Sequence, residues 1–497
     1  MRIVTRVTVV EAKRGHHPNI AIAIILTVQL MIIVDGTITN VALPVLRSEL
    51  GFSRNDLAWI GNTFALAFGG LLLLAGRVGD VFGRRRVFAL GSLAFAASST
   101  ICGVAQDPAV LLLGRSIQGV AAAFASSAAM ALIISTFDEG PERAKAVTGY
   151  AGVSSIGGAL GLVLGGFIVE YSSWRLAFFI NIPLGIAAAA LVPLYLNEPE
   201  RHRGRFDIAG AVTSTLGMSA LVFGFIQAAS DGWSDKHTLR AFGLSLVGFI
   251  AFFHVERRAA QPLVPFGLFK DRTRSAAYIT RFMILAAMTG SFFFMSQYLQ
   301  EVRGYSPVQN GLALLPNTLA LFGTAQIARR LLPRLGTRRT ALIGLVTTTL
   351  GFALLTRLDT DSSFIFGIAL PLTLTGLGIG FPSVALTLAS MANVSQKDSG
   401  AAGGMLNVVQ QLGSALGLSI LVTVFGTAAR SAASHPIAGQ SAVEAGHRAF
   451  VHGLDAAFAG AVVFGLIAIA IVVGAIRPRA EGAISVLAPH SAPALID

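Results

Sequence analysis

Cysteine is almost absent from this chain: Cys102 is the single copy, and it lies in an apolar stretch. A disulfide framework and a cysteine metal site within the chain are therefore excluded. Charge is also scarce. Asp, Glu, Lys and Arg make up 12% of the 497 residues, against about 25% in an average globular chain. A phosphate-binding glycine loop, the paired histidines of a zinc hydrolase and a nucleophile elbow are all missing. These absences argue against an enzyme and against any resident metal or cofactor.

What is present is hydrophobic. Apolar residues account for 54% of the chain, alongside 54 glycines, a residue commoner in membrane helices than in soluble ones. The net charge of +12 would by itself fit a nucleic-acid binder. Its distribution does not, because the basic residues concentrate in alternate loops between apolar runs. No nucleic-acid partner is expected; the lipid bilayer is. The basic start, residues 1–19, leads into an apolar run reaching Leu46. That is too long for the core of a signal peptide, so it is expected to be an uncleaved first span.

Apolar stretches of about 20 residues, enough to cross a bilayer, fall near 20–43, 57–75, 87–105, 109–134, 145–169 and 175–196. Two follow near 208–228 and 239–256, then six near 275–299, 308–328, 339–357, 364–390, 400–427 and 450–476. The expectation is an all-α membrane protein with 14 transmembrane helices. It divides into a six-helix bundle (1–196), a linker carrying two extra helices (197–274), a second six-helix bundle (275–476) and a tail (477–497). With the N-terminus inside, the inner loops hold nearly three times as many Lys and Arg as the outer ones, the bias of cytoplasmic loops. Both termini are thus expected in the cytoplasm. The blocks also repeat weakly: Gly76 to Val87 and Arg329 to Thr340 occupy equivalent loops, with Gly83 aligned to Gly336 and Asp80 to Pro333.

Asp35 is the most informative residue. It lies about 15 residues into the first span, ~22 Å at 1.5 Å per residue, where an acid costs roughly 2.5–3.5 kcal/mol on insertion scales. Arg115 enters the fourth span from the opposite side, ~9 Å in, so the two reach similar depths. An arginine beside Asp35 favours its ionised form; the pair is either a proton-coupling device or a structural ion pair. Gln118 shares a helix face with Arg115. In span five, Gly157, Gly161 and Gly165 line one face and permit close helix approach; Gly166 follows directly. In span thirteen, Asn407, Gln410 and Gln411 are either helix–helix glue or substrate contacts. Asn40, and the Gln297-Tyr298 pair beyond the Phe292–Phe294 aromatics, are further candidates for a substrate cavity. Arg281, six residues inside its span, is expected to snorkel to the basic flank.

Four stretches now carry a resemblance: Asp35 to Pro44, Gly76 to Val87, Arg115 to Gly119, and Trp174 to Gly185. The chain resembles the major facilitator superfamily, specifically its fourteen-helix drug:proton antiporters of the EmrB/QacA type. The resemblance implies a major facilitator fold and alternating access driven by the proton gradient, with no bound cofactor. Asp35 would then be the proton-linked acid and Arg115 its partner. Gly76, Asp80, Gly83, Arg84 and Arg85 would form a gating motif, with Asp80 near Asp398. Gly157, Gly161, Gly165 and Gly166 would belong to the antiporter-motif helix, although Leu162 stands where the family usually has proline. Gln410 stands where relatives often have arginine. The expected function is export of small apolar or cationic molecules by a plasma-membrane protein working as a monomer. A dedicated exporter of one natural product is the alternative, and a passive channel or receptor the remote one.

Overall fold

A computed structural model describes residues 18–54, 56–137, 141–198, 207–259, 266–392, 394, 399–435 and 440–476. Among these residues the regular structure is helical, with no strand. A first group comprises α1 (Pro18–Leu50), α2 (Ala58–Phe82), α3 (Arg84–Gly103), α4 (Pro108–Thr136), α5 (Pro141–Tyr171), α6 (Trp174–Phe179) and α7 (Asn181–Tyr195). Then come α8 (Ile208–Asp231) and α9 (Lys236–Arg258). A second group comprises α10 (Arg272–Gln297), α11 (Pro307–Leu355), α12 (Leu370–Met391), α13 (Ser399–Ala433) and α14 (Ala442–Ala475).

Among the described residues eleven helical stretches are long and apolar enough to cross a membrane. The number differs from the fourteen expected in part because the 49-residue α11 runs two expected spans together; α2 and α5, 25 and 31 residues long, are described as apolar only over Ala58–Leu72 and Gly157–Tyr171.

Helix boundaries follow local chemistry. Asp107 accepts the Val110 amide at 3.0 Å and is followed by Pro108, starting α4. Ser306 with Gln309, and Ser441 with Glu444, form reciprocal capping boxes at α11 and α14, each satisfying amide donors that a helix start otherwise leaves unpaired. Gly83 (φ 102°) separates α2 from α3, and Gly336 (φ 72°) kinks α11. These glycines align in the sequence repeat, and both adopt the positive φ that only glycine tolerates cheaply.

Packing within the first group relies on backbone approach. Along α5, Gly157 faces Leu30 and Ile33, Gly161 faces Val34 and Thr37, and Gly165 faces Ile38, so one glycine edge carries the α1 stretch around Asp35. The next edge faces the second group: Gly166 lies against Pro307 and Val308, and the Leu162 carbonyl against Gly311. Opposite this seam α2 meets α13, where Asn62 donates to Ser419 at 3.0 Å. Helix α8 flanks that contact, with Gly70 of α2 against Thr215 and Thr423 of α13 donating to the Phe225 carbonyl at 2.5 Å. Helix α9 reaches the rest through α8, at Gly217 and Gly248.

A Cβ at Gly161 would overlap the Thr37 side chain and press on the Val34 backbone. Gly161→Val is expected to lower the unfolding midpoint of the purified protein, with a cost of about 1–3 kcal/mol typical of overpacking. Gly76→Ala, where open space surrounds the position, should not lower it. Thermal melts in detergent distinguish the two.

Candidate functional site

The two charges placed at similar depth by the sequence meet in the structure. Arg115 Nη1 donates to Asp35 Oδ2, and each residue is 2% exposed. The other carboxylate oxygen accepts from Gln118 Nε2 at 3.1 Å and Asn181 Nδ2 at 2.9 Å. Ser99 accepts from both amides, at 2.7 and 3.3 Å. Arg115 is itself fixed: Nε donates to the Ile60 carbonyl at 3.2 Å, Nη1 to Gln118 Oε1 at 2.8 Å, and its guanidinium lies 4.6 Å from the Phe64 ring centre. Cys102 Sγ approaches Gln118 Oε1 at 3.6 Å. The cluster built on one acid thus joins α1, α4 and α7 directly, with α3 reached through Ser99 and α2 through Arg115.

Local sequence explains two features of this arrangement. Pro183 has no amide hydrogen for the Phe179 carbonyl, so the α6–α7 segment breaks between Phe179 and Asn181, and Asn181 opens α7 facing Asp35. Pro44 does the same within α1. It leaves the Asn40 carbonyl without its usual helical donor, and Ser296 Oγ of α10 donates to that carbonyl at 3.1 Å. One residue on, Gln300 donates to the Val41 carbonyl at 3.0 Å. The helix that carries Asp35 is therefore hydrogen-bonded to the second group just beyond it.

At the Leu50 end of the bundle the two groups are held by charge. Glu301 pairs with Arg47 at 2.8 Å and Arg54 at 2.5 Å, Arg54 lies over the Phe450 ring, and Glu170 accepts the Val308 amide at 2.9 Å. The arginines are about one-third exposed, and such pairs contribute about 0–1 kcal/mol each. The closure is cheap to undo.

Other sequence candidates fall elsewhere. Gln118 is fully buried and engaged with the Asp35 cluster, not presented to a cavity. Gln297 and Tyr298 are also fully buried; Gln297 bonds to its own helix and Tyr298 donates to the Asp359 carbonyl. Asn40 donates to the Gly36 carbonyl. Asn407 is exposed, and Gln411 lies against Gly69 of α2. Gln410 accepts from Arg281, which also donates to the Ser383 carbonyl at 3.2 Å. Arg281 is thus turned into the bundle, correcting the snorkelling expectation: two inward acceptors, Ser383 and Gln410, lie within reach.

In the loop expected to carry the gating motif, Arg85 pairs with Glu198 at 3.7 Å and its amide donates to the same carboxylate, which also abuts Gly83. Arg84 begins α3 and Gly76 lies within α2. The Asp80 side chain and all of Asp398 lie outside the described residues, as does the tail from 477. A second acid inside an expected span, Asp455 of α14, was not among the sequence candidates. With Asp359, Glu444, His435, His447 and His452 it lines an open cavity of ≈ 1180 Å³ at the Leu50 end. Among the described residues no group of three or more His, Cys, Asp or Glu is placed to hold a metal ion.

Removing one partner of a buried ion pair leaves an uncompensated charge. Arg115→Ala is expected to cost about 3–5 kcal/mol of stability, and adding Asp35→Asn should recover part of that loss. A double-mutant cycle on unfolding midpoints measures the coupling; strictly additive losses would show that the pair contributes none.

The profile of the Major Facilitator Superfamily matches residues 25–418. The puromycin resistance protein of Streptomyces alboniger is 39% identical over 448 residues, 89% of this chain and 88% of its own. The cephamycin export protein of Amycolatopsis lactamdurans is 34% identical over 412 residues, covering 82% and 85%. A bacterial homologue of the human lysosomal transporter Spinster, solved inward-facing and unoccupied, superposes with a TM-score of 0.64 at 17% identity, over 92% of this chain and 96% of that one; it speaks for the fold alone. With the family profile spanning most of its length and relatives above 30% identity along four fifths of it, this chain belongs to the Major Facilitator Superfamily and is a transporter, not an enzyme.

Proposed function

We propose that the chain exports small, largely apolar molecules of the antibiotic or drug class, moving protons inward as substrate moves outward by alternating access. The observation that carries this reading is the Asp35 cluster: one buried acid, held by Arg115, Gln118 and Asn181, in a helix bonded to the opposite group at Asn40 and Val41. Protonating Asp35 removes the charge that holds Arg115 and weakens both amide contacts. Helix α1 then shifts more easily, and the shift reaches α10 and the segment after it through the Ser296 and Gln300 bonds. The proton gradient is the energy source, with no bound cofactor.

A fourteen-span arrangement is part of this reading. It is supported by the Gly336 kink, which divides α11 into two membrane-length arms, and by the lengths of α2 and α5, 25 and 31 residues including their polar ends. The bias of basic loops favours both termini in the cytoplasm of a cell that carries the protein in its plasma membrane. Glu301, Arg47 and Arg54 then close the outer face. The transporter works as a monomer, two helix groups rocking about the seams at α2–α13 and α5–α11.

Several relatives are named for single antibiotics: puromycin, cephamycin, lincomycin and tetracenomycin C. That observation favours a second reading, an exporter dedicated to one natural product. A susceptibility panel separates the two, since a dedicated exporter protects against one scaffold.

In everted membrane vesicles, Asp35→Asn is expected to abolish pH-gradient-driven substrate movement while the protein remains folded and inserted. Transport at the wild-type rate by that variant would sink proton coupling through Asp35.

A further inference from the structure

The first helix group compensates its interior cation, pairing Arg115 with Asp35. The second group does not. Arg281 lies nine residues into α10, ~14 Å from its start. Its guanidinium donates to the Ser383 carbonyl of α12 and to Gln410 of α13, and its buried Nε has no hydrogen-bond partner. Among the described residues no carboxylate pairs with it. Guanidinium groups keep their charge at any physiological pH, and a charge at membrane depth is costly and marks a functional position by default. Neutral acceptors satisfy N–H groups without cancelling the charge.

The position lies near the contact between the two helix groups. Tyr278, one turn before Arg281, belongs to an apolar cluster joining Leu72 and Ala75 of α2 and Ala123 of α4 to Met405 and Val408 of α13. Gln411, next to Arg281's partner Gln410, lies against Gly69 of α2. Arg281 therefore stands beside the seam between the groups, with Ser383 and Gln410 fixing the fork and Nε left over.

We propose that Arg281 anchors a carboxylate or similar anionic group of the exported molecule, so that the cargo class is an amphiphile with an apolar body and one negative charge. This deepens the export reading and rests on it for transport, though not for binding. It also turns the charge preference expected from the sequence around: an unpaired arginine repels a cationic cargo.

The test uses the purified full-length protein in detergent, with fluorescein as the anionic probe and ethidium as the cationic one, read by fluorescence anisotropy. Fluorescein should bind the wild type and be displaced by octanoate but not by octylammonium, a comparison that needs no variant. Arg281→Gln should weaken fluorescein binding tenfold or more, the size of one charge-assisted hydrogen bond, while Arg281→Lys retains most of it and neither substitution weakens ethidium binding. Fluorescein affinity unchanged in Arg281→Gln, displacement by both amphiphiles alike, or a wild type that binds neither fluorescein nor octanoate would each overturn the anchor. Wild-type protein that binds fluorescein through Arg281 but does not move it against a gradient in an uncoupler-sensitive way would overturn the export reading and leave the anchor standing.

Discussion

A carboxylate sealed inside a membrane protein sets the terms for everything around it. Asp35 has a counter-ion and two amide donors, drawn from helices separated by up to 146 residues in sequence. No single one of these helices could host the acid alone; an isolated ion at low dielectric costs several kcal/mol. The first helix group is thus more than a set of rods packed by shape. Its members α1, α4 and α7 are tied to one charge and to one another through it, and α3 joins through Ser99.

Small residues supply the complementary condition. The glycine edge of α5 lets α1 approach closely, with the Val34 and Ile38 backbone and the Thr37 and Ile38 side chains lying directly against it. Glycine adds no side chain of its own to that contact, so α1 is held both by the Asp35 cluster and by close packing along a smooth edge.

Much of this was legible in the sequence, for a physical reason. Charges in apolar runs are rare enough that counting residues from each membrane face placed Asp35 and Arg115 at a common depth. Gly83 and Gly336 were legible as repeat partners because positive φ leaves a residue-specific trace. Asn181 and Ser99 were not: short polar side chains often satisfy themselves on their own helix, and only the break before Pro183 hinted that Asn181 is turned elsewhere. Arg281 was misjudged because a long side chain near a flank can reach either way, and distance along the helix does not reveal which. Pairs such as Arg47 with Glu301 depend on contacts 254 residues apart, which no local pattern encodes. Gln297 and Tyr298 had the composition of a pocket lining, yet burial against backbone carbonyls depends on where the following loop packs.

The Asn40 carbonyl has one more consequence. With Pro44 in place it has no donor inside its own helix, and its partner belongs to the other half of the molecule. When the halves part, that acceptor cannot stay dry, since an unsatisfied buried polar group costs about 1–3 kcal/mol. Water has to enter as Ser296 leaves. It enters five residues from Asp35, ~7.5 Å along the helix, the acid proposed above to carry the proton. On that proposal, wetting of the acid and separation of the halves are a single event. The proline acts as a valve seat, making leakage of water toward the acid contingent on the stroke of the transporter.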